Sequence, residues 1–207
     1  MTSTRYHHGN LHEALLQAGL AAAQAGGPAA LQLRELAAAA GVSPSAVYRH
    51  FPDMAHLSAE VSRAARESLA TRMLRAAAAV PEVTDDPGEG AIRRMQAIGR
   101  AYIEFAVSEP HLFDTAFMAA GAAPTCADTP SAWGVLNDAL DALVGTGELA
   151  AARRETAPLV AWSAVHGLSG VLVRRMLPAP YQPHDAISAT LAGVLDALDV
   201  RQPREMR

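Results

Sequence analysis

Apolar residues in this chain recur every three to four positions, which is the spacing of residues along one face of an α-helix. No segment shows the strict alternation of apolar and polar residues that marks a half-buried strand. Asn10 and Glu13, spaced as in a capping box, open the first helix. The sequence therefore predicts an all-α fold of about nine helices. We expect these helices at about residues 10–25, 32–40, 44–50, 54–79, 91–108, 111–120, 131–145, 154–177 and 184–199.

The second and third predicted helices are short and are joined by a tight turn. The second helix ends at Gly41, and Ser43 before Pro44 is a strong helix start, with serine as the N-cap and proline at the first helical position. A Phe-Pro dipeptide ends the third helix, and Asp53 is placed to cap the long fourth helix. This helix–turn–helix pattern, at about residues 32–51, is typical of proteins whose second helix enters the major groove of DNA. An ordinary helical hairpin with a glycine turn is the alternative interpretation.

The chemistry of this segment agrees with DNA binding. Ala37 and Ala38 are small where the two helices cross, and Val42 and Val47 are apolar residues that fill the joint. The exposed face of the second helix is expected to offer side chains that donate hydrogen bonds to phosphates or base edges. They are Ser45, Tyr48, Arg49 and His50.

Composition excludes several other classes of protein. The 207 residues are 50% hydrophobic and carry a formal net charge of −4, which is typical of a folded chain and not of a disordered one. The single cysteine, Cys126, allows no intramolecular disulfide and disfavours a cysteine-ligated zinc site. We expect no signal peptide, because residues 1–10 are polar, and no membrane span, because no stretch of about 18 apolar residues is free of charge. The expected location is the cytoplasm.

Charge is unevenly distributed along the chain. Residues 1–75 hold seven arginines against five acidic residues, a net charge of +2, whereas residues 76–207 hold ten against 16, a net charge of −6. A basic head on an acidic body predicts that only the head meets a polyanion. A chance difference between the two parts is the alternative.

The sequence resembles the TetR family of transcriptional regulators. The motifs that carry the resemblance are Leu33-Arg-Glu-Leu-Ala37 and Gly41-Val-Ser-Pro-Ser-Ala-Val-Tyr-Arg-His-Phe51, and the similarity covers residues 9–69 in order and spacing. Further motifs are similar to a subgroup of the family whose C-terminal domain has a Trp-His-Gly signature. These motifs are Tyr6-His-His-Gly-Asn-Leu11, Trp162 with His166 and Gly167, Gly99-Arg-Ala-Tyr-Ile-Glu-Phe-Ala106 and Glu109-Pro-His-Leu-Phe113.

The resemblance implies two domains and a regulatory function. A three-helix DNA-binding domain is expected over residues 9–69, and a C-terminal ligand-binding and dimerisation domain over residues 80–200, with a linker at residues 80–90. The expected protein is a homodimeric repressor that binds double-stranded operator DNA and is released by a small hydrophobic or aromatic effector. No cofactor, metal ion or membrane is expected as a partner.

The resemblance also assigns roles to residues of the second short helix. Ser43 would cap this helix, Ser45 and Ala46 would face base edges, and Tyr48 and His50 would face phosphates. The predicted DNA-contacting set is Gln32, Arg34, Ser43, Pro44, Ser45, Ala46, Tyr48, Arg49 and His50.

Two residues limit what this helix offers to DNA. Pro44 has no N–H group and offers only an apolar contact. Met54 stands where the family commonly has a lysine that grips a phosphate, and one lost phosphate contact should flatten the salt dependence of binding by about one unit of slope.

Two clusters in the C-terminal part are predicted to serve dimerisation and effector binding. The last helix carries a long apolar stripe, and two glycines in the helix before it suit a close helix approach. The predicted dimer contacts are Gly167, Gly170, Ile187, Leu191, Val194, Leu195 and Leu198, and packing of the stripe within one monomer is the alternative. The predicted pocket residues are Met95, Tyr102, Phe105, Phe113, Phe117, Met118, Trp133, Trp162 and His166, and an ordinary core is the alternative. Trp162 and His166 share one helix face and would supply an apolar wall with a polar handle.

The sequence does not predict an enzyme. Gly167-Leu-Ser-Gly170 is one residue short of a nucleophile elbow, and Asp138 and Asp141 indicate a solvated surface. His8 and His12 have a spacing that suits a metal ion, but an N-terminal arm beside phosphate is the favoured interpretation. The alternative function is that of a helical small-molecule-binding or adaptor protein without specific operator binding.

Overall fold

A computed structural model describes residues 11–83, 85–117 and 130–200, and the regular elements in these ranges are all helical. The nine described helices are α1 Leu11–Gly26, α2 Leu33–Ala39, α3 Pro44–Val47, α4 Met54–Ala78, α5 Pro87–Ser108, α6 Pro110–Ala116, α7 Ala132–Gly145, α8 Ala157–Val173 and α9 Pro183–Ala197. Short 3₁₀ segments occupy Gly27–Ala30 and Ala151–Arg153. The all-α prediction is confirmed. Within the described ranges, no helix is both long enough and apolar enough to cross a bilayer.

Local capping decides where several helices begin. The backbone N–H of His56 donates to Asp53 Oδ1 at 2.9 Å, which confirms the predicted cap of α4. The backbone N–H of Glu89 donates to Asp86 Oδ1 at 3.0 Å, and proline occupies the first position of the helix that follows. α5 therefore begins four residues earlier than predicted, and part of the expected linker at residues 80–90 is helical. The capping role predicted for Asn10 falls outside the described residues.

Two other helices are shorter than predicted. α3 stops at Val47, because residues 48–50 form a turn instead of continuing the helix. α8 spans Ala157–Val173 and not 154–177, since proline takes its second position and Arg175 adopts a left-handed backbone with φ of 54°.

The described chain divides into two compact units. The N-terminal unit comprises residues 11–66 and 109–117, and the C-terminal unit comprises residues 67–83, 85–108 and 130–200. α6 thus belongs to the N-terminal unit, because it packs on α1 and on the first 3₁₀ segment. The expected division at residues 80–90, with everything beyond it in one domain, is corrected accordingly.

The N-terminal unit has a small apolar core tied together by one buried polar contact. Leu15 of α1 and Leu57 of α4 are fully buried in it. The hydroxyl of Ser62 and the guanidinium of Arg66 each donate to the carbonyl oxygen of Ala116 at 3.0 Å. This contact satisfies a carbonyl at the end of α6 that the helix itself cannot pair.

The joint between α2 and α3 is packed by fewer residues than expected. Ala37 and Val47 are buried and Val42 is partly buried, as a close crossing requires. Ala38 is exposed, so its predicted place in the crossing is wrong. The reason is rotational, since adjacent residues on a helix lie on different faces.

The C-terminal unit is organised around α5, which packs against α7, α8 and α9. Ile103 of α5 forms a cluster with Ile187 and Leu191 of α9, against which side chains of α8 pack. The buried hydrophobic side chains of α5 are Ala91, Ile92, Met95, Ile98, Ala101, Tyr102, Ile103, Phe105 and Ala106.

The apolar stripe of α9 belongs to this core and not to a surface. Its five members are between 1% and 8% exposed in the single chain, so they are not available to a second copy. Their prediction as dimer contacts is wrong, and packing within one monomer is what the structure shows. The stripe consists of Ile187, Leu191, Val194, Leu195 and Leu198.

Leu195→Ala should lower the free energy of unfolding by about 2–5 kcal/mol, because it removes a buried apolar side chain and leaves empty space in its place. Chemical denaturation at one fixed protein concentration measures this change. Gly145→Ala at the exposed end of α7 is the control, since a Cβ there meets no atom within 4 Å. An equal, negligible change in both variants would contradict the burial of Leu195.

Candidate functional site

A tight turn joins α2 to α3 in the N-terminal unit. Gly41 has a φ of +69°, a conformation that costs glycine little and other residues more, and it allows α2 to end and the chain to reverse. Val47 anchors α3 from below with 1% exposure. After α3 the N–H groups of Arg49 and His50 donate to the carbonyls of Ala46 and Val47, so the polar residues beyond the helix remain ordered.

Most of the predicted DNA-contacting residues lie on the surface of this unit. Seven are exposed, namely Gln32, Arg34, Ser43, Pro44, Ser45, Tyr48 and Arg49. Ala46 and His50 are partly buried. Tyr48 is 53% exposed and carries its hydroxyl at the rim of a ring that is otherwise apolar. The exposed set offers hydroxyl, amide and guanidinium donors, which are the groups that bind phosphate and base edges.

Several of these side chains already have partners on the chain. Gln32 donates its amide to the carbonyl of Ala29 at 3.0 Å. Ser43 shares a hydrogen bond of 2.9 Å with the hydroxyl of Ser45. Ser43 occupies the N-cap position of α3 but its side chain accepts no capping hydrogen bond, so the predicted capping role of its hydroxyl is wrong. The two serine hydroxyls orient each other instead.

Arg34 and Arg49 are the exposed cations of this surface. Within the described part of the chain, neither forms an ion pair with a carboxylate. Their charges are therefore available to an anion approaching the α2–α3 surface.

His12 has a role that its sequence context did not indicate. Its ring stacks on Phe51 with centroids 4.6 Å apart, and its Nε2 lies 3.2 Å from Glu60 Oε2. His12 therefore packs against the segment that follows α3, and its predicted place on a phosphate-facing arm is wrong. His8 lies outside the described residues. Among those described, no group of three histidine, cysteine, aspartate or glutamate side chains is arranged to hold a metal ion.

The C-terminal unit contains a cavity that is almost entirely apolar. Of the nine predicted pocket residues, Met95, Tyr102 and Trp162 line it. Trp133 does not line the cavity itself but packs edge-on against Trp162, with ring centroids 5.5 Å apart. The other lining residues are Met73, Gln96, Ile98, Gly99, Leu136, Ala161, Val165, Leu191, Val194 and Leu195.

Phe105, Phe113 and Phe117 lie away from the cavity. Phe105 is buried in the core of the same unit. Phe113 and Phe117 lie in the N-terminal unit, where their rings pack edge-on at 5.1 Å. Met118 is outside the described residues. The sequence around Phe113 and Phe117 does not indicate to which of the two units α6 belongs.

The polar handle beside the cavity is a partly buried pair, of which Tyr102 lines the cavity. The hydroxyl of Tyr102 and Nδ1 of His166 share a hydrogen bond of 2.8 Å, and the His166 ring stacks on Trp162 at 6.0 Å. Burial raises the pKa of Tyr102 well above its ordinary value. Burial also lowers the pKa of His166, and the positive charge of Arg174 lowers it further. Both groups are therefore neutral at neutral pH, and the site disfavours charge in its interior.

The cavity is narrow as it stands. About 470 Å³ between the lining side chains is free of atoms when space open to solvent is included, but only about 30 Å³ is wide enough for a water molecule. An apolar cavity of about 150 Å³ is needed to hold benzene, so an aromatic ligand has to displace side chains. Met73 and Met95 lie in the wall, and unbranched methionine side chains adapt to such a change.

Sequence reasoning missed the contribution of α9 to this cavity. Leu191, Val194 and Leu195 line it, although the sequence assigned them to dimerisation. Gly99 lies three positions before Tyr102 on α5, so helical spacing was an available signal for that residue. No local signal shows that α9 reaches α5.

An exposed helix–turn–helix segment in one unit and a largely apolar cavity in the other are the features of a DNA-binding transcription regulator. The family model described as bacterial regulatory proteins, tetR family, matches residues 15–61, and the one described as tetracyclin repressor-like, C-terminal domain, matches residues 95–195. The chain belongs to the TetR family and is a regulator, not an enzyme. The subgroup with a Trp-His-Gly signature stays a prediction.

Solved structures share this fold. A protein with unknown function from Rhodococcus sp. RHA1 is 23% identical, with a TM-score of 0.76 over 95% of this chain and 100% of its own. A putative tetR family transcription regulator from Shewanella sp. PV-4 is 18% identical, with a TM-score of 0.63 over 92% and 99%. RolR, in complex with the ligand resorcinol, is 15% identical, with a TM-score of 0.67 over 93% and 89%. No curated protein matches the chain.

His166→Gln should flatten the pH dependence of stability. Because the pKa of His166 is lowered in the folded state, the unfolded chain takes up a proton that the folded chain does not, and stability falls as the pH drops below the ordinary value of 6.5. Urea unfolding at about pH 7.5 and about pH 5.5 measures this loss. His184→Gln, which alters an exposed histidine of the same unit, should keep the wild-type loss. A His166→Gln variant with the full wild-type loss would contradict the burial of the neutral ring.

Proposed function

We propose that the chain is a homodimeric repressor that leaves its operator when a small hydrophobic or aromatic effector enters the C-terminal unit. The observation that carries this proposal is that α2, α3 and the following turn expose hydrogen-bond donors between Arg34 and Arg49. The buried side chain of Val47 fixes α3 to the rest of the unit. A regulator of bacterial DNA acts where the chromosome is, and so we assign the chain to the cytoplasm.

DNA contact is assigned to the exposed residues of the α2–α3 surface. Ser45 and the partly buried Ala46 face the base edges, and Tyr48, Arg49 and His50 face phosphates. Support comes from the exposure of Tyr48 and from the unpaired guanidinium of Arg49 within the described residues. Neutral groups dominate this surface, so phosphate contacts contribute less to DNA affinity than they do in a strongly basic DNA-binding domain.

Dimerisation is assigned to the outward faces of α8 and α9 in place of the buried stripe. Leu159 at the start of α8 is 65% exposed, and Gly167 on the same helix is exposed with open space beyond its Cα. On α9, Ala189, Gly193 and Ala197 follow one another at intervals of four and are all exposed. Small residues allow the backbones of two helices to approach closely, and a helix–turn–helix reader normally spans two half-sites.

Release is assigned to a population shift. In one state the two recognition helices are separated by about 34 Å, the distance between successive major grooves, and in the other they are not. An effector that binds the second state more tightly moves the population toward it. Support for an aromatic effector comes from Tyr102 and Trp162 in the cavity wall, and RolR, a protein of this fold, takes up the small aromatic resorcinol.

Tyr48→Phe should weaken DNA binding by about two- to tenfold, to the same extent for specific and unrelated DNA, since a phosphate contact carries no sequence information. Gel-shift titrations on the DNA upstream of the coding sequence, at several salt concentrations, measure both affinities. Tyr181→Phe makes the same change at an exposed tyrosine of the C-terminal unit and should leave them unchanged.

The same titrations test the whole proposal. A specific complex of the wild type that weakens with rising salt is the expected result. If no DNA from the upstream region forms a specific complex without ligand, the chain is the alternative, a helical small-molecule-binding or adaptor protein. Equal binding by Tyr48→Phe and wild type would remove the phosphate role of Tyr48.

Gly167→Glu should convert the dimer to monomers, because it places a charge in a close helix contact. Light scattering coupled to size exclusion measures the mass. Gly145→Glu is the matched control, since this glycine ends α7, is also exposed and also has open space around its Cα. A dimer that persists in Gly167→Glu and in Gly193→Glu would rule out the α8–α9 interface.

A further inference from the structure

The C-terminal unit has a second space beside the apolar cavity, and this one is more open and has more polar groups in its lining. It is a groove of about 410 Å³ along α5 and α9, and Val80 and Pro81 also line it. Gln96 and Leu191 line both the groove and the cavity, so the two spaces adjoin at these side chains.

Three polar side chains of α5 line the groove from one helix face. Arg93, Gln96 and Arg100 are separated by three and four positions, which places them in a row along the helix. Gln96, the middle residue of this row, also lines the cavity. The end of a cavity-bound molecule that projects into the groove would therefore lie next to this row.

The two arginines differ in how far their charge is compensated. Arg93 Nε donates to Glu89 Oε1 at 2.9 Å, and Glu89 is only 4% exposed, so this pair is fixed and internally neutral. Arg100 reaches only the hydroxyl of Ser188, at 3.4 Å, and in the described part of the chain it has no carboxylate partner. The groove therefore holds one uncompensated positive charge, at Arg100, which is partly buried.

We propose that the effector is an aromatic carboxylate whose ring enters the cavity while its carboxylate pairs with Arg100 and Gln96 in the groove. This inference rests on the proposed function and specifies its ligand. The cavity takes the ring because its lining is apolar, and it rejects the charge because Tyr102 and His166 form a neutral pair. The planar guanidinium of Arg100 matches a carboxylate with two parallel hydrogen bonds.

The charge of the groove selects among ligand classes. One uncompensated arginine matches one negative charge, whereas a phosphate monoester carries nearly two and is bound by clusters of cations. A cationic ligand is disfavoured by the uncompensated charge of Arg100. A neutral phenol fills the cavity but leaves Arg100 without a partner.

The experiment compares three acids with their neutral carboxamides on the purified full-length chain by calorimetry. The probes are 3-phenylpropanoate, 4-phenylbutanoate and 5-phenylpentanoate, which vary the distance from ring to carboxylate, and the three matching amides. At least one acid should bind about tenfold more tightly than its amide, the difference expected for a charge-assisted hydrogen-bonded pair.

Variants locate the source of this preference. Arg100→Gln should bring the ratio of acid to amide affinity to about one, and Arg100→Lys should keep part of the preference because the charge remains. Arg94→Gln is the matched control: the residue is on the same helix and carries the same charge, but it lines a different surface. Thermal unfolding confirms that each variant is folded.

Three outcomes would overturn the proposal. They are equal affinity for every acid and its amide, no binding of any acid, and an equal loss of preference in Arg94→Gln and Arg100→Gln. Gel shifts without ligand distinguish a failure of the proposed ligand class from a failure of the proposed repressor function. A chain that binds its operator but prefers no acid contradicts only the ligand class, whereas a chain with acid preference and no specific DNA complex contradicts the repressor function.

Discussion

The C-terminal unit depends on the burial of α5 against α7, α8 and α9. Each large aliphatic or aromatic side chain that α5 buries contributes about 1.5–3 kcal/mol, so its contacts dominate the stability of the unit. Gly99 permits the closest of these contacts, since a Cβ there would lie 2.6 Å from Leu191 Cδ2. Because the stripe of α9 is used in this packing, any contact with a second copy has to come from the opposite face of that helix.

The same constraint shapes the candidate effector site. A helix buried on three sides leaves little empty space, which is why the cavity has room for about one water molecule and not for an aromatic ring. The described buried polar groups of this unit have hydrogen-bond partners, as Tyr102 has His166 and Glu89 has Arg93. Unpaired charge is found at the edge, at Arg100, where solvent is in reach.

Features governed by neighbours in sequence were predictable. The cap at Asp53 and the turn at Gly41 require only residues within four positions. The cap at Asp86 was equally local and was overlooked, because the proline and glycines after it suggested a linker. Ser43 had the position of a cap, yet its hydroxyl turned to Ser45.

The sequence by itself determined the helical class, the exposed polar surface of α2 and α3 and the family, since periodicity, capping and a contiguous motif are all short-range. Only the tertiary structure decided that α6 joins the N-terminal unit, that Phe113 and Phe117 go with it, and that Leu191 and Leu195 line a cavity. An apolar stripe indicates that one face of a helix is buried, but it does not indicate which helix or subunit covers that face, because the hydrophobic effect is non-directional. The partner is set by how the helices pack, and that depends on residues far apart in the chain.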